Sequence, residues 1–367
     1  MKLECLREKL SEAVSKVEKI TSKNASLPSL KCILLKADKD GLFVCATNLD
    51  IGIKIKITAK IDEEGEVAVP GSTLNSFLNN LSSEKNVELD SKDGSLIVST
   101  SKTNTVIKTL PTDDYPIIPS VDTSSGFSMP AGAFIEGVKA VWYSSATSSI
   151  KPELSSVCVT TEGDSIVFVA TDGLRLAEKT VKTKQMPDFS QILIPVKNAV
   201  EIIRVFEGVD ENLSITMEQN QIAISYGDIY LVSRIIEGNF PNYKAIIPKD
   251  FVSEIVVLKQ DVLNTLKMSS IFSDSFNHIK IIVRKEENNI EIITKNNEIG
   301  ENSANLNGKI IGDSIDINFN YKYILDALNS VGSESISISF SGINKPMILK
   351  PIGENSNFLY LLMPMNR

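Results

Sequence analysis

The same passage from strand to helix occurs three times along this chain at one fixed interval. The copies are Val67-Ala-Val-Pro70-Gly-Ser-Thr-Leu, Ile192-Leu-Ile-Pro195-Val-Lys-Asn-Ala and Ile315-Asp-Ile-Asn-Phe-Asn320-Tyr-Lys. Pro70 to Pro195 is 125 positions, and Pro195 to Asn320 is 125 again. A second marker, Ala46-Thr47-Asn48-Leu49-Asp50, returns as Ala170-Thr171-Asp172-Gly173-Leu174 and more weakly as Ile293-Thr294-Lys295-Asn296, at steps of 124 and 123 from Thr47. Short solenoid repeats have periods of about 20–50 residues, so two markers in register at this longer step mean three copies of one domain.

Each copy reads as two helices among short strands. In the first copy, apolar residues at 6, 10, 13, 14, 17 and 20 follow helical spacing. Its counterparts are the helices predicted over Ala133–Trp142 and Asp261–Met268. The second helix of each copy follows Pro70, Pro195 or Asn320, where a proline fits the first turn because its missing N–H has no intrahelical partner. Alternating runs such as Ile51-Gly-Ile-Lys-Ile-Lys-Ile, bounded by turns such as Lys39-Asp-Gly41, predict antiparallel strands. The expected class is α+β, with helices covering one face of each sheet and copies at 1–122, 123–249 and 250–367.

Composition narrows the function. The chain has 367 residues, more than one core organises, with 42% hydrophobic and 23% charged residues as in globular proteins. A net charge of −8 argues against a protein that grips nucleic acid over its whole surface, but leaves room for a basic lining on one face. The N-terminus alternates charges where a signal peptide is apolar, and no apolar run approaches 18 residues, so a cytoplasmic, membrane-free protein is expected. Cys5, Cys32, Cys45 and Cys158 lack Cys-x-x-Cys spacing and read as reduced, partly buried thiols. No metal-ligand cluster, nucleophile elbow or phosphate-cradling loop is found, so neither metal nor cofactor is expected. The single histidine, His278, and the Asp113-Asp114 pair read as packing and turn residues.

Ala170-Thr-Asp-Gly-Leu-Arg-Leu-Ala177, Glu237-Gly-Asn-Phe-Pro-Asn-Tyr-Lys-Ala-Ile-Ile-Pro248 and the terminal Tyr360-Leu-Leu-Met-Pro-Met365 resemble the bacterial DNA polymerase III β sliding clamp family. The resemblance runs through the whole chain in order. It implies a head-to-tail dimer of three clamp domains per chain, a six-domain ring around duplex DNA held without base readout. Such a ring has no catalytic activity. It tethers the replicative polymerase, and the clamp loader and other clamp-binding proteins are implied partners.

The resemblance also assigns residues. A partner-peptide cleft is implied at Leu154, Thr171, Gly173, Leu174, Arg175, Leu176, Pro241, Ala245, Ile246, Leu361, Leu362, Met363, Pro364 and Met365. Leu174 stands where the family often has His, and Ala245 where it often has a basic residue. Both changes make the cleft more apolar, with Met supplying adaptable surface. The DNA channel is expected to use Lys23, Lys151, Lys197 and Arg204, with Asn24 where relatives carry an arginine. Ile271 and Phe272 match the apolar pair of the ring-closing interface, with Leu74 and Phe77 as expected partners. Two other readings are weighed: a hydrolase pairing Asp172 with Asp50, which repeat symmetry disfavours because equivalent turns lie on different domains, and a linear three-domain surface protein, disfavoured by the charged N-terminus.

Overall fold

The computed structural model describes residues 1–21, 27–81, 84–121, 126–148, 150–183, 189, 191–218, 220–353 and 357–365. The first copy supplies β1 (Lys2–Leu6), α1 (Arg7–Glu18), β2 (Cys32–Asp38), β3 (Gly41–Thr47), β4 (Ile51–Ile57), β5 (Ala59–Glu63), β6 (Gly65–Pro70), α2 (Gly71–Asn80), β7 (Asn86–Lys92), β8 (Ser95–Ser99) and β9 (Asn104–Lys108). The second supplies β10 (Phe127–Pro130), α3 (Ala131–Val141), β11 (Ser156–Glu162), β12 (Ser165–Thr171), β13 (Arg175–Lys182), β14 (Gln191–Pro195), α4 (Val196–Phe206), β15 (Asn212–Glu218), β16 (Gln221–Tyr226) and β17 (Ile229–Arg234). The third supplies β18 (Ser253–Leu258), α5 (Lys259–Ser269), β19 (His278–Arg284), β20 (Asn289–Asn296), β21 (Gly300–Leu306), β22 (Gly308–Gly312), β23 (Ile315–Asn320), α6 (Tyr321–Ser330), β24 (Ser335–Phe340), β25 (Met347–Pro351) and β26 (Phe358–Leu362).

The helices form where the apolar spacing places them. α1 buries Leu10, Ala13, Val14 and Val17 on one stripe. It starts one residue later than the stripe suggests, because Leu6 is still extended and paired with Asn86 in β1–β7. Pro70 is the N-cap of α2 and does not enter its first turn. It closes β6, an edge strand, and Pro195 and Asn320 close the edge strands β14 and β23, where a proline interrupts no central ladder. Where the third copy has Asn, the side chain caps α6 by accepting from the amides of Lys322 and Tyr323 at 3.0 and 3.4 Å.

Among the described residues all strand pairings are antiparallel, in four sheets with orders β5-β1-β7-β8-β9, β10-β15-β16-β17-β4-β3-β2-β6, β14-β11-β12-β13-β26-β25-β24-β18-β22 and β21-β20-β19-β23. Among those residues the middle copy has no sheet of its own. Its β17 pairs with β4 of the first copy, and its β13 pairs with β26 of the third. The chain accordingly divides into two compact units, Met1–Gly132 with Val200–Ile235, and Ala133–Ala199 with Ile236–Arg367, and the division cuts the middle copy. In the first unit, α1 and α2 pack together, and Leu10, Val14, Ile33, Leu35, Leu42, Val44, Leu74 and Leu78 are wholly buried. In the second, Phe168, Phe319, Phe340 and Tyr360 fill the core. Phe134 meets Phe168 edge-to-face at 5.6 Å, and Gly137 of α3 lets the helix approach, since a Cβ there would lie 2.4 Å from the Phe168 ring.

The third copy of the Thr-Asx marker is displaced from where the sequence match puts it. Thr294 is a buried strand residue of β20. The turn equivalent to Asn48 and Asp172 begins at Asn296, whose side chain accepts from the amide of Glu298, as Asn48 does from Asp50 and Asp172 from Leu174. Measured on this residue, both steps are 124.

Candidate functional site

The β12–β13 turn is built by side chains that fold back onto their own backbone. Thr171 Oγ1 donates to the carbonyl of Arg175 at 2.6 Å and accepts from the amide of Gly173 at 3.1 Å. Asp172 Oδ1 accepts from the amides of Leu174 and Arg175 at 2.9 and 3.0 Å. Gly173 has φ +89°, a left-handed conformation that glycine adopts without strain. The closure leaves Leu174 facing outward, 56% exposed. The first unit repeats this frame: Thr47 Oγ1 donates to the carbonyl of Ile51, Asn48 accepts from the amides of Asp50 and Ile51, and Leu49 takes φ +78°.

Arg175 holds the turn from beneath. Its Nε donates to Asp172 Oδ2 at 3.0 Å and its Nη1 to Asp326 Oδ2 at 2.7 Å. The guanidinium carbon lies 4.1 Å from the Tyr323 ring centroid and 5.9 Å from that of Tyr143. Arg175 is 9% exposed and sits as a pin under the turn. Leu176, Leu361 and Leu362 are also buried and serve as floor. Leu176 and Leu361 pack with Cys158, Val169, Leu193, Tyr243 and Ile348, against which Phe240, Ile247 and Met363 are laid. Tyr243 donates to Glu178, and burial followed by that bond raises its phenol above the usual range. Burial likewise pushes the Cys158 thiol up to about 12, which keeps it an inert packing group.

The surface above this floor is carried by few residues. Leu174, Ala245 and Ile246 are exposed, and Met363, Pro364 and Met365 are half-buried. The chain end is stitched in place: the amide of Met363 donates to the carbonyl of Leu174 at 2.8 Å, and that of Met365 to the carbonyl of Asn318 at 2.9 Å. Leu154, half-buried two residues before β11, lies at the same sheet end as the turn, and Pro241 is exposed on the segment leading to the Tyr243–Ile246 helical turn. Sequence reading missed a cavity of about 260 Å³ beside Met365, lined by Asn318, Ile343, Asn344 and Lys280 among others. Ile343, 66% exposed, was the available signal, as a lone aliphatic residue set between Gly342 and Asn344.

The other expected residues fare unevenly. Lys23 and Asn24 lie outside the described residues. Lys151 and Lys197 are exposed and, among the described residues, make no ion pair. Arg204 is engaged within its own unit, with Glu201 on Nε and Nη2 and the carbonyls of Ser15 and Lys16 on Nη1, so it ties α4 to the last turn of α1. Leu74 is wholly buried between α2 and its own core and offers no surface to a partner, which corrects the interface expectation; Phe77 is half-buried. Ile271 is 65% exposed and Phe272 half-buried, in the short helical turn packed on β20 and β21. The six helices together carry nine Lys and Arg against seven Asp and Glu, leaving 29 against 39 on the rest of the chain. Lys9, Lys267 and Lys322 are further exposed helix cations.

Catalytic readings find no support in this geometry. Both carboxylate oxygens of Asp172 are spent on the turn and Arg175. His278 Nδ1 is paired with Asp274 at 2.6 Å in a turn beside Phe276. Among the described residues no group of three or more His, Cys, Asp or Glu could hold a metal, the four cysteines are free and buried, and no helix is long and apolar enough to cross a membrane.

Sequence profiles of the DNA polymerase III beta subunit match residues 1–119 (N-terminal domain), 128–242 (central domain) and 244–366 (C-terminal domain). The chain belongs to the beta sliding clamp family. It is 27% identical to the beta sliding clamp of Synechococcus elongatus over 372 residues and 25% identical to that of Bacillus subtilis over 376, covering 99% of each relative and 99% of this chain. The crystal structure of the Thermotoga maritima DNA polymerase III beta subunit superposes with a TM-score of 0.92 at 24% identity, over 100% of this chain and 99% of that one. As a sliding clamp, the chain is a processivity factor and not an enzyme.

Proposed function

We propose that two copies of this chain close head to tail into a ring around duplex DNA, and that the ring tethers a polymerase through a short peptide held at the Leu174 turn. The observation that carries the ring is the bookkeeping of strand edges. Within the chain, two junctions are made alike: β17 on β4, and β26 on β13. The equivalent strands left unpaired are β9 in the first copy and β21 in the third, both at sheet edges. Val106 on β9 is 58% exposed, with Ile299 beside β21 at 60% and Ile271 near it at 65%. Open strand edges invite pairing with another chain. Carrying the internal registers onto these strands sets Thr105 of one protomer opposite Asn302 of the other, and Val106 opposite Glu301.

Three clamp domains divided near 122 and 249 then make six around the ring, in a cytoplasmic protein. The slight cationic excess of the helices faces the phosphates, while the acidic remainder of the chain keeps DNA off the other surfaces. Exposed Lys9, Lys197, Lys267 and Lys322 are the residues assigned to that lining, with Lys151 on a neighbouring loop. Apolar and Gln side chains of a partner peptide sit on Leu174, Ile246 and Met363, over the Leu176–Leu361 floor. The clamp loader and other proteins with such segments use the same surface in turn.

Loading onto nicked circular DNA tests the ring. Retention on the circle and run-off after linearisation are expected, and equal retention on both forms would sink it. Light scattering should give twice 40.2 kDa, and Val106→Asp, placed against Glu301, should give monomers at micromolar protein. A dimer that survives this change places the junction elsewhere.

A further inference from the structure

Three lysines surround one aromatic ring in the first unit. Strand pairing sets Lys36 opposite Phe43 and Phe43 opposite Lys56. Lys54 Nζ stands 4.0 Å from the Phe43 ring centroid and Lys56 Nζ 5.9 Å. Ile53, Ile55 and Ile57 of β4 are buried, so Lys54 and Lys56, which alternate with them, share the opposite face. Among the described residues none of the three lysines makes an ion pair. Glu66 stands opposite Lys36 and Asp228 borders the cavity beside Lys54 and Lys56, but neither acid pairs with them, so in a chain of net charge −8 the lysines still present a local positive field.

Concave apolar surface adjoins them. A cavity of about 390 Å³ beside Lys54 and Lys56 is walled by Ile118, Pro119, Ile229 and Tyr230. A second, of about 440 Å³, shares Lys56, Gly227, Asp228 and Ile229 with the first and continues to Lys9 and Lys16 of α1. By the same alternation this second cavity, lined also by Ile55, Ile57 and Glu12, belongs to the α1 face of the sheet, so the first cavity alone adjoins the Lys54 and Lys56 side chains.

We propose that the first cavity forms a groove that docks an extended acidic and apolar peptide segment of a partner protein, with carboxylates on Lys54 and Lys56 and aliphatic side chains against Ile118 and Pro119. The charge complementarity selects an anion, and the walls select a peptide over a nucleic-acid strand. A base would need a free ring to stack on, yet the Phe43 face is covered by Lys54, and the Tyr230 hydroxyl is bound to the amide of Val121 and the carbonyl of Pro119. A run of phosphates also has nothing to place against Ile118 or Pro119. The site lies wholly in the first unit and uses no residue of the Leu174 turn, so it stands whether or not that turn binds a polymerase.

The test is fluorescence anisotropy on the full chain with a labelled peptide alternating Glu or Asp with Leu or Phe, its Gln/Asn counterpart, and an oligothymidylate of about twelve nucleotides, within the range one single-strand site spans. The acidic peptide should bind, weaken with added salt, and lose at least ten-fold in affinity in Lys54→Gln/Lys56→Gln, while Leu174→Asp leaves it unchanged. The single variants, each checked for an unaltered melt, should fall between. Failure of the acidic peptide to bind, equal binding of the Gln/Asn peptide, or unchanged affinity in the double variant overturns the proposal. So does oligothymidylate binding more tightly than the peptide at the same lysines, which would make the groove a nucleic-acid site.

Discussion

Replacing Arg175 with Met keeps an unbranched side chain of similar reach and removes every charged contact beneath the Leu174 turn. Asp172, whose side chain is 14% exposed, loses its Nε donor but keeps two backbone amides; a hydrogen bond to a charged group contributes about 1.5–3 kcal/mol. Asp326 is 42% exposed and turns to water, so its share belongs on the surface scale of about 0.2–1 kcal/mol. The guanidinium stacked on Tyr323 adds about 0.5–2 kcal/mol. Together these give about 3 kcal/mol. For a unit of about 200 residues, each kcal/mol moves the melting temperature by about 2–4 °C, so Arg175→Met should melt about 6–12 °C lower by calorimetry. Asp326→Ala alone should cost about 1 kcal/mol or less, and close to nothing on top of Arg175→Met, because the two share one contact. Since Asp172 still holds the turn amides, binding of a polymerase-tail peptide should weaken only several-fold. An Arg175→Met variant that melts within about 2 °C of the parent, or an additive Asp326→Ala effect, would show that Arg175 is no pin.

Deleting Met363 to Arg367 removes the Met363 and Met365 amide bonds together with two or three apolar anchors of about 1.5 kcal/mol each, so anisotropy should show about 100-fold weaker peptide binding; unchanged affinity would move the groove elsewhere. Gly137→Ala gains about 1 kcal/mol of helix propensity but drives a methyl into the Phe168 ring, an overpacking of about 1–3 kcal/mol, so its melt should fall, and a rise would refute the close approach. Ile271→Asp with Phe272→Asp should give monomers by light scattering, since unpaired carboxylates resist burial. Against the opposing push of desolvation, bonds from the His278 amide and ring and the Phe276 amide lower the Asp274 pKa. Stability from Asp274 is therefore present above about pH 4, its unfolded range, and lost as pH falls through the lower folded value; Asp274→Asn should flatten that acid limb in melts taken between about pH 5 and 2.

Local periodicity carried the fold further than it carried the site. The six helices α1–α6 were readable because apolar stripes such as Leu10, Val14 and Val17 need only a 3.6-residue count, and Pro70, Pro195 and Asn320 marked the start of the second helix of each copy. The stripe does not say whether an apolar side chain meets its own core or a partner's. Leu74 satisfied both readings until its burial excluded one. The third turn was misaligned because the match followed threonine, whereas the conformation depends on the Asx carboxyl or amide that receives the turn amides, at Asn296. Arg204 was read as a channel cation because sequence shows charge but not the acid and carbonyls that three-dimensional neighbours bring to it. The shared sheets were hidden for a related reason: no local signal in β17 or β13 names a strand from another copy as its partner.

The middle copy's lack of a private sheet makes it a poor candidate for excision. A fragment spanning 123–249 would carry β17 and β13 with one flank of each stripped of its neighbour, two bare ladders on one small body. Such a piece should aggregate or borrow strands from other fragments. Gene-level shuffling of this architecture is thus confined to exchanging whole chains or the two outer copies, each of which keeps one sheet intact.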